Sequence, residues 1–315
     1  MNINIGISSC LLGEKVRYDG GHKRERYLTD VLGKYVTWVP VCPEHECGLS
    51  IPRESMRLVR TENGIRLVTT RTKKDHTDKM TSWAGKRIRK LQTEDLCGFI
   101  FKTKSPSSAM KDAKVYSAKG GMAEKKMAGL FAGMVMDKMP YLPCEDEGRL
   151  NDDTLRENFI ERVFVFARWK DATKNSITAV KLIDFHSDHK LTLMSHSPAR
   201  LKELGKIVAS IDKKMVPTKG DEYLRVLMDA MATKSSVRKH TNVLYHIMGY
   251  FKKVLTKEEK QELGETIENY HNHLVPLIVP VTLLNHYTRK YGVDYLQRQV
   301  YLHPHPAELK LRNHV

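Results

Sequence analysis

The chain has 315 residues, 41% of them hydrophobic, and a formal net charge of +16. That length suits two domains of ordinary size, and the apolar content excludes a chain that stays disordered throughout. No stretch reaches the roughly 18 apolar residues of a membrane helix, and residues 1–6 lack the basic start and apolar core of a secretion signal, so a soluble, cytoplasmic protein is expected.

The positive charge is shared along the chain. Residues 1–150 hold 27 Lys and Arg against 18 Asp and Glu, and residues 151–315 hold 26 against 19, giving +9 and +7. A field spread this evenly attracts polyanions, nucleic acid first.

Taken in order, residues 3–7 are a continuous apolar run ending near Cys10. Tyr27, Leu28, Val31 and Leu32 have helical spacing, and residues 36–41 are a second apolar run, followed directly by Cys42. Residues 77–94 read as a basic helix with Asp75 or Thr77 placed to cap it. Residues 99–101 are a third short strand, and residues 121–139 read as a Met-rich helix. Strand–helix alternation implies parallel pairing, and such sheets bind ligands beyond the carboxyl ends of their strands. After the acidic junction at 145–153 only helical patterns remain, around Phe159 to Trp169, Leu201 to Val208, 243–255 and 277–291. The expected fold is therefore α/β: a small Rossmann-like parallel sheet over residues 1–150, then an all-α domain over 151–315.

Cysteine use narrows the chemistry. Five thiols in a chain read as cytosolic point to metal or redox work more than to disulfides. Cys10, Cys42 and Cys47 follow two strand ends and so share one edge of a parallel sheet. Three thiolates can hold a metal centre and leave one position open. Zinc, with His45 as a fourth ligand, and an iron–sulfur cluster both remain open on this pattern. Cys97 stands at the amino end of the third strand. The eight residues from it to Ser105 span about 25 Å, which puts it at the opposite edge. Cys144 reads as incidental. Glu44 lies between two thiols, where burial and anionic neighbours raise a carboxyl pKa and suit it to acid–base work. The loop Lys102 to Ser108 falls on the thiol edge, with serines to bond a ligand and lysines to meet phosphate.

These residues also carry a resemblance. Ser8-Ser9-Cys10, Tyr18-Asp19-Gly20-Gly21, Cys42-Pro43-Glu44, Gly48-Leu49 with Pro52-Arg53, Asp75 with Thr77, and Lys104-Ser105-Pro106-Ser107 resemble the thiouracil desulfidase family over about residues 1–140. The later stretches at 185–190, 246–253 and 284–287 resemble the helical domain fused to a subset of that family, the tRNA 4-thiouridine desulfidases. The resemblance implies a [4Fe–4S] cluster held by three cysteines, with one iron free of protein ligands to take the substrate's sulfur. It puts the catalytic glutamate on Glu44 and the catalytic serine on Ser105. It implies removal of sulfur from thiolated uridine in tRNA, without nicotinamide or flavin. One position departs: the family's third motif ends in a ligand cysteine, and here it is Ser108. A relocated ligand follows as an expectation, with Cys10, Cys42 and Cys47 holding the cluster and Cys97 as the rival third.

The flipped base needs a basic surface to hold the surrounding phosphates. Lys102 and Lys104 near the site, Lys86, Arg87, Arg89 and Lys90 on one helix, and Arg238, Lys239, Lys252, Lys253, Arg289 and Lys290 in the second half are the candidates. His186, His189, His246 and His286 read as structural groups in helices. Two alternatives stand beside this reading: a non-catalytic RNA-binding protein with a structural metal site, and a desulfidase of free thiouracil or thionucleosides.

Overall fold

A computed structural model describes residues 2–119, 121–211 and 216–314. The chain divides into two compact units, Met1–Asp152 and Asp153–Val315.

The first unit is built on two four-stranded sheets. One has the order β2-β1-β5-β8, formed by β1 (Asn4–Ser8), β2 (Thr37–Val41), β5 (Leu96–Phe101) and β8 (Cys144–Asp146), every pairing parallel. The three expected runs are thus strands of one parallel sheet. All six residues of β5 are buried, the pattern of a strand covered on both faces. Gly6 of β1 is required by this packing, because a Cβ there would come 2.2 Å from the Phe99 ring. Phe99 in turn stacks on Phe101 at 4.3 Å.

The second sheet was not expected. Its order is β4-β3-β6-β7, from β3 (Met56–Thr61), β4 (Gly64–Thr69), β6 (Ala113–Ser117) and β7 (Ala123–Met127). The reading of 121–139 as one helix is corrected here. Ala123–Met127 pairs antiparallel with β6, and a shorter helix, α3 (Leu130–Lys138), follows. Gly121, at φ +94°, supplies the left-handed backbone just before β7. The one-turn helix α1 (Pro43–Glu46) follows β2, and α2 (Thr77–Thr93) buries Met80, Ala84, Ile88 and Leu91 at helical spacing. Asp75 accepts the Thr77 N–H at 2.8 Å and so caps α2.

Among its described residues the second unit has helices and no strand. They are α4 (Asp153–Thr173), α5 (Ala179–His196), α6 (Pro198–Ala209), α7 (Val216–Ala232), α8 (Val237–Tyr250), α9 (Lys257–His271), α10 (Ile278–Lys290) and the short α11 (Asp294–Gln297). Leu191, Leu244, Ile247, Phe251, Leu263 and Leu284 meet in its main core. Ser and Thr side chains cap α5, α6, α8 and α9, the last through a full capping box between Thr256 and Glu259. Among the described residues no helix is long and apolar enough to cross a membrane.

Candidate active site

Beyond the carboxyl ends of β1, β2 and β5 lies a cavity of about 370 Å³. Each strand delivers one piece of it. After β1 the chain turns through Ser9 and Cys10, and Gly13 closes that turn at φ +99°. After β2, Cys42 precedes α1, and its N–H donates to Glu46 Oε1 at 2.8 Å. After β5, the Lys102 N–H donates to Ser8 Oγ at 3.0 Å, tying the ends of β1 and β5 together. Cys10, Cys42, Glu44, Arg53, Ser105 and Ser108 all line the cavity.

The loop 105–108 is held from two sides. The first turn of α3 has amide donors with no partner inside the helix. Leu130 N–H donates to Pro106 O at 3.1 Å and Ala132 N–H to Ser107 O at 3.1 Å. Gly129 lets α3 approach this closely, since a Cβ there would lie 2.4 Å from the Ser107 carbonyl carbon. Within the loop, Ser105 Oγ accepts the N–H groups of Ser107 at 3.3 Å and Ser108 at 3.1 Å.

Glu44 is the centre of the polar groups. Ser107 Oγ donates to Glu44 Oε1 at 2.5 Å. Glu44 Oε2 has only longer contacts, with Cys42 Sγ at 3.7 Å and Arg53 Nη2 at 3.8 Å. Ser107 has one proton and gives it to the carboxylate. Its contacts with Ser105 Oγ at 3.0 Å and Ser108 Oγ at 3.2 Å must therefore be donated by those two hydroxyls. Three serines point their protons toward one carboxylate. Ser107, fully buried, was missed by the sequence reading, which fixed on Ser105. Ser105 stands one hydrogen bond removed from Glu44.

Burial pushes the Cys10 thiol up to about 11 against the opposing charge of Lys102. Burial, followed by the Glu44 charge, pushes Cys42 up to about 12. Both thiols are the protonated species at neutral pH until a cation binds. Arg53 Nε is buried without a hydrogen-bond partner among the described residues.

Cys47 is a correction. It does not line the cavity and packs instead with Leu58, Leu67, Met80 and Ala109, its Sγ 3.3 Å from Glu44 O. The reason is the helical turn between the two thiols. Residues five apart on an α-helix are rotated by roughly 140°, so Cys42 and Cys47 face different sides of α1. Cys97 lies at the amino end of β5, buried and on the edge away from the cavity. Among the described residues no three His, Cys, Asp or Glu side chains are grouped to hold a metal ion.

The proposed phosphate contacts divide. Lys104 lines the cavity, and Lys252 and Lys253 are exposed after α8. Lys102 is paired with Glu147, Lys290 with Glu259 at 2.6 Å, and Arg87 with Glu46 at 3.2 Å and Glu94 at 2.9 Å. Arg289 is exposed near the end of α10. The four named histidines are dispersed: His186 bonds Tyr223 OH at 3.1 Å, His189 bonds Phe185 O at 2.8 Å, and His246 and His286 pack edge-on to Tyr250 and Tyr287.

Residues 5–147 match the family described as 2-thiouracil desulfurase, and residues 190–306 match one described as a protein of unknown function, DUF1722. Two curated relatives each correspond to part of the chain. The Escherichia coli K12 protein YbgA is 29% identical over 166 residues, covering 52% of this chain and 95% of its own length. The Bacillus subtilis 168 protein YbbK is 26% identical over 151 residues, covering 46% and 97%. Both are described as uncharacterized. A solved structure, the [4Fe-4S]-dependent thiouracil desulfidase TudS, is 26% identical, covers 48% of this chain and 94% of its own, and superposes with a TM-score of 0.39.

Proposed function

We propose that this chain is a desulfidase of thiolated uracil that acts on thiouridine in tRNA, 4-thiouridine first, by hydrolysis of the carbon–sulfur bond. The observation that carries the proposal is Glu44, a buried carboxylate oriented by Ser107 beside two cavity thiols, in the unit that matches the desulfurase family. The donor chemistry suits an iron–sulfur group. Two thiols and a hydroxyl face one cavity, and thiolates are the soft ligands such a group takes. Cys10 and Cys42 would hold it. Bound there, iron would supply a Lewis acid to polarise the carbon–sulfur bond.

The chain's own residues do the rest. Glu44 Oε1 is committed to Ser107, which leaves Oε2 to take a proton from water as the water oxygen bonds to the base carbon. The carbon–sulfur bond then breaks, and the proton returns from Glu44 to the departing sulfide. Water and the thiocarbonyl become a carbonyl and hydrogen sulfide, with no net redox change. Arg53, with its unpartnered Nε, is placed to hold a polar atom of the base. Positive charge in both units and the exposed Lys104, Lys252 and Lys253 support a tRNA substrate, whose base must leave its stack to reach the cavity.

The test is anaerobic reconstitution with iron and sulfide, followed by sulfide assay and nucleoside analysis of thiolated tRNA, free 4-thiouridine and 2-thiouracil. Release from tRNA that falls steeply with salt is expected. Release from the free base alone removes the tRNA part, and release from none removes the proposal.

A further inference from the structure

The cavity gathers two thiols where a three-cysteine centre needs three. Cys47 is in an apolar cluster on another side of α1, and Cys97 is at the far edge of the sheet. The remaining question is what stands at the third place.

Ser108 does. It lines the cavity while remaining 4% exposed. Its backbone N–H is fixed by Ser105 Oγ at 3.1 Å, and the segment behind it is fixed by α3. The proton directions matter most. Ser107 spends its hydrogen on Glu44, so the 3.2 Å contact between Ser107 and Ser108 is donated by Ser108. The Ser108 oxygen then keeps both lone pairs, and no donor among the described residues is aimed at them. A buried hydroxyl with an open acceptor side and a hydrogen bond leading to a carboxylate is equipped to lose its proton to a metal. The same proximity explains why a hydroxyl here is held rather than free to turn into the core.

We propose that the iron–sulfur group of this chain is attached through Cys10, Cys42 and the Ser108 oxygen, and that Cys47 takes no part. The proposal rests on the reading of the cavity as an iron–sulfur site. On attachment an Fe–O bond forms and the Ser108 O–H bond breaks. The proton passes through Ser107 to Glu44 Oε1 and on to water. Oxygen is a harder donor than sulfur, so this attachment is weaker for iron and labels one iron as different from its neighbours.

The experiment compares the full-length protein with Cys47→Ala, Ser108→Ala and Ser108→Cys after anaerobic reconstitution. Iron, acid-labile sulfide, visible absorption and Mössbauer spectra are recorded, with thermal unfolding as the folding control. Cys47→Ala should load iron and sulfide as wild type does. Ser108→Ala should lower iron affinity by at least about tenfold, the smallest loss seen when even supporting groups are removed from metal sites. Ser108→Cys should load fully and gain thiolate-to-iron absorption. Since Cys47→Ala opens a small void in the core, Cys47→Ser serves as a second variant. Loss of loading in both folded Cys47 variants, with Ser108→Ala unaffected, overturns the assignment and leaves the cluster reading intact. A wild-type chain that takes up no iron overturns both.

Discussion

The cavity of the first unit and the buried network of the second use the same kinds of side chain with opposite results. In the second unit, Glu161 is 1% exposed and gives its oxygens to His196 Nε2 at 2.9 Å and Arg312 Nη2 at 2.8 Å. The other His196 nitrogen meets Thr233 O at 2.7 Å, so both ring nitrogens face acceptors. Arg312 also donates to Tyr301 O at 2.7 Å and lies over the Tyr301 ring. Glu157 takes His314 at 2.7 Å. These charges close on one another and hold the chain's last turns to α4. Glu44 is buried to a similar degree, yet its Oε2 has no contact shorter than 3.7 Å. A carboxylate with both oxygens spent is structural; one with an oxygen in reserve beside a cavity is equipped for chemistry.

The largest test of this contrast is at the two carboxylates. Glu44→Gln should lower the rate of sulfide release by roughly 10²–10⁴, the range for loss of a positioned acid–base group, with little change in unfolding temperature. Arg312→Met should do the reverse. Breaking a buried pair by removing one partner costs about 3–5 kcal/mol, read as a lower denaturant midpoint, with iron loading of the first unit unchanged. If Glu44→Gln unfolds the protein while Arg312→Met is harmless, the two roles are exchanged and the comparison fails.

A smaller effect separates the units by pH. Burial lowers His189 and His240 to about 3 and His305 to about 4. An unfolded histidine binds its proton near pH 6.5 and the folded one does not, so stability falls as pH drops from 6.5 toward 4. Each histidine contributes a slope of up to about 1.4 kcal/mol per pH unit. Glu161 acts in the same direction at lower pH. Burial opposes its ionisation, but the His196 hydrogen bond and the Arg312 charge hold its pKa below the usual range, and that stabilisation is lost as acid protonates it. Glu157 works the other way, because burial raises it and favours the folded state where the carboxyl keeps its proton. The histidines outnumber it. Fluorescence of Trp169, stacked on Tyr223 in the second unit, should report unfolding between pH 6 and 4 in a Trp38→Phe, Trp83→Phe background. A flat profile removes the network's proposed weight.

How much of this could be read beforehand depended on burial. β1, β2 and β5 are apolar runs because they are covered on both sides, and their parallel order followed. β8, with the sequence Cys-Glu-Asp, carries no such signal, since Glu145 is satisfied by Arg149 at 2.7 Å rather than by apolar packing. The β3–β4 hairpin has an Asn63-Gly64 pair, a strong turn signal that was overlooked. β7 is exposed and charged, so pattern could not separate it from a helix. Glu44 and the two cavity thiols were legible from their places after strands. Cys47 was misplaced because a five-residue spacing was read along the chain and not around a helical turn. Ser107 was hidden because three serines share one loop, and only the anchoring by α3 decides which of them meets Glu44.

That anchoring gives the last and smallest test. Gly129 is distant in sequence from every reactive group and touches none of them, yet it sets how closely α3 approaches Ser107. Adding one methyl by Gly129→Ala brings atoms to 2.4 Å, so the loop or the helix must shift. Overpacking of this kind costs about 1–3 kcal/mol. The shift would fall on the 2.5 Å Ser107–Glu44 bond, which tolerates little displacement before it is lost. Stability should drop modestly while sulfide release falls more than the folded fraction accounts for. An equally sized change at Gly85, where a Cβ meets nothing within 4 Å, should leave both unaltered. If Gly129→Ala lowers activity only in step with folding, the hydrogen bond from Ser107 supports the fold and does not orient Glu44.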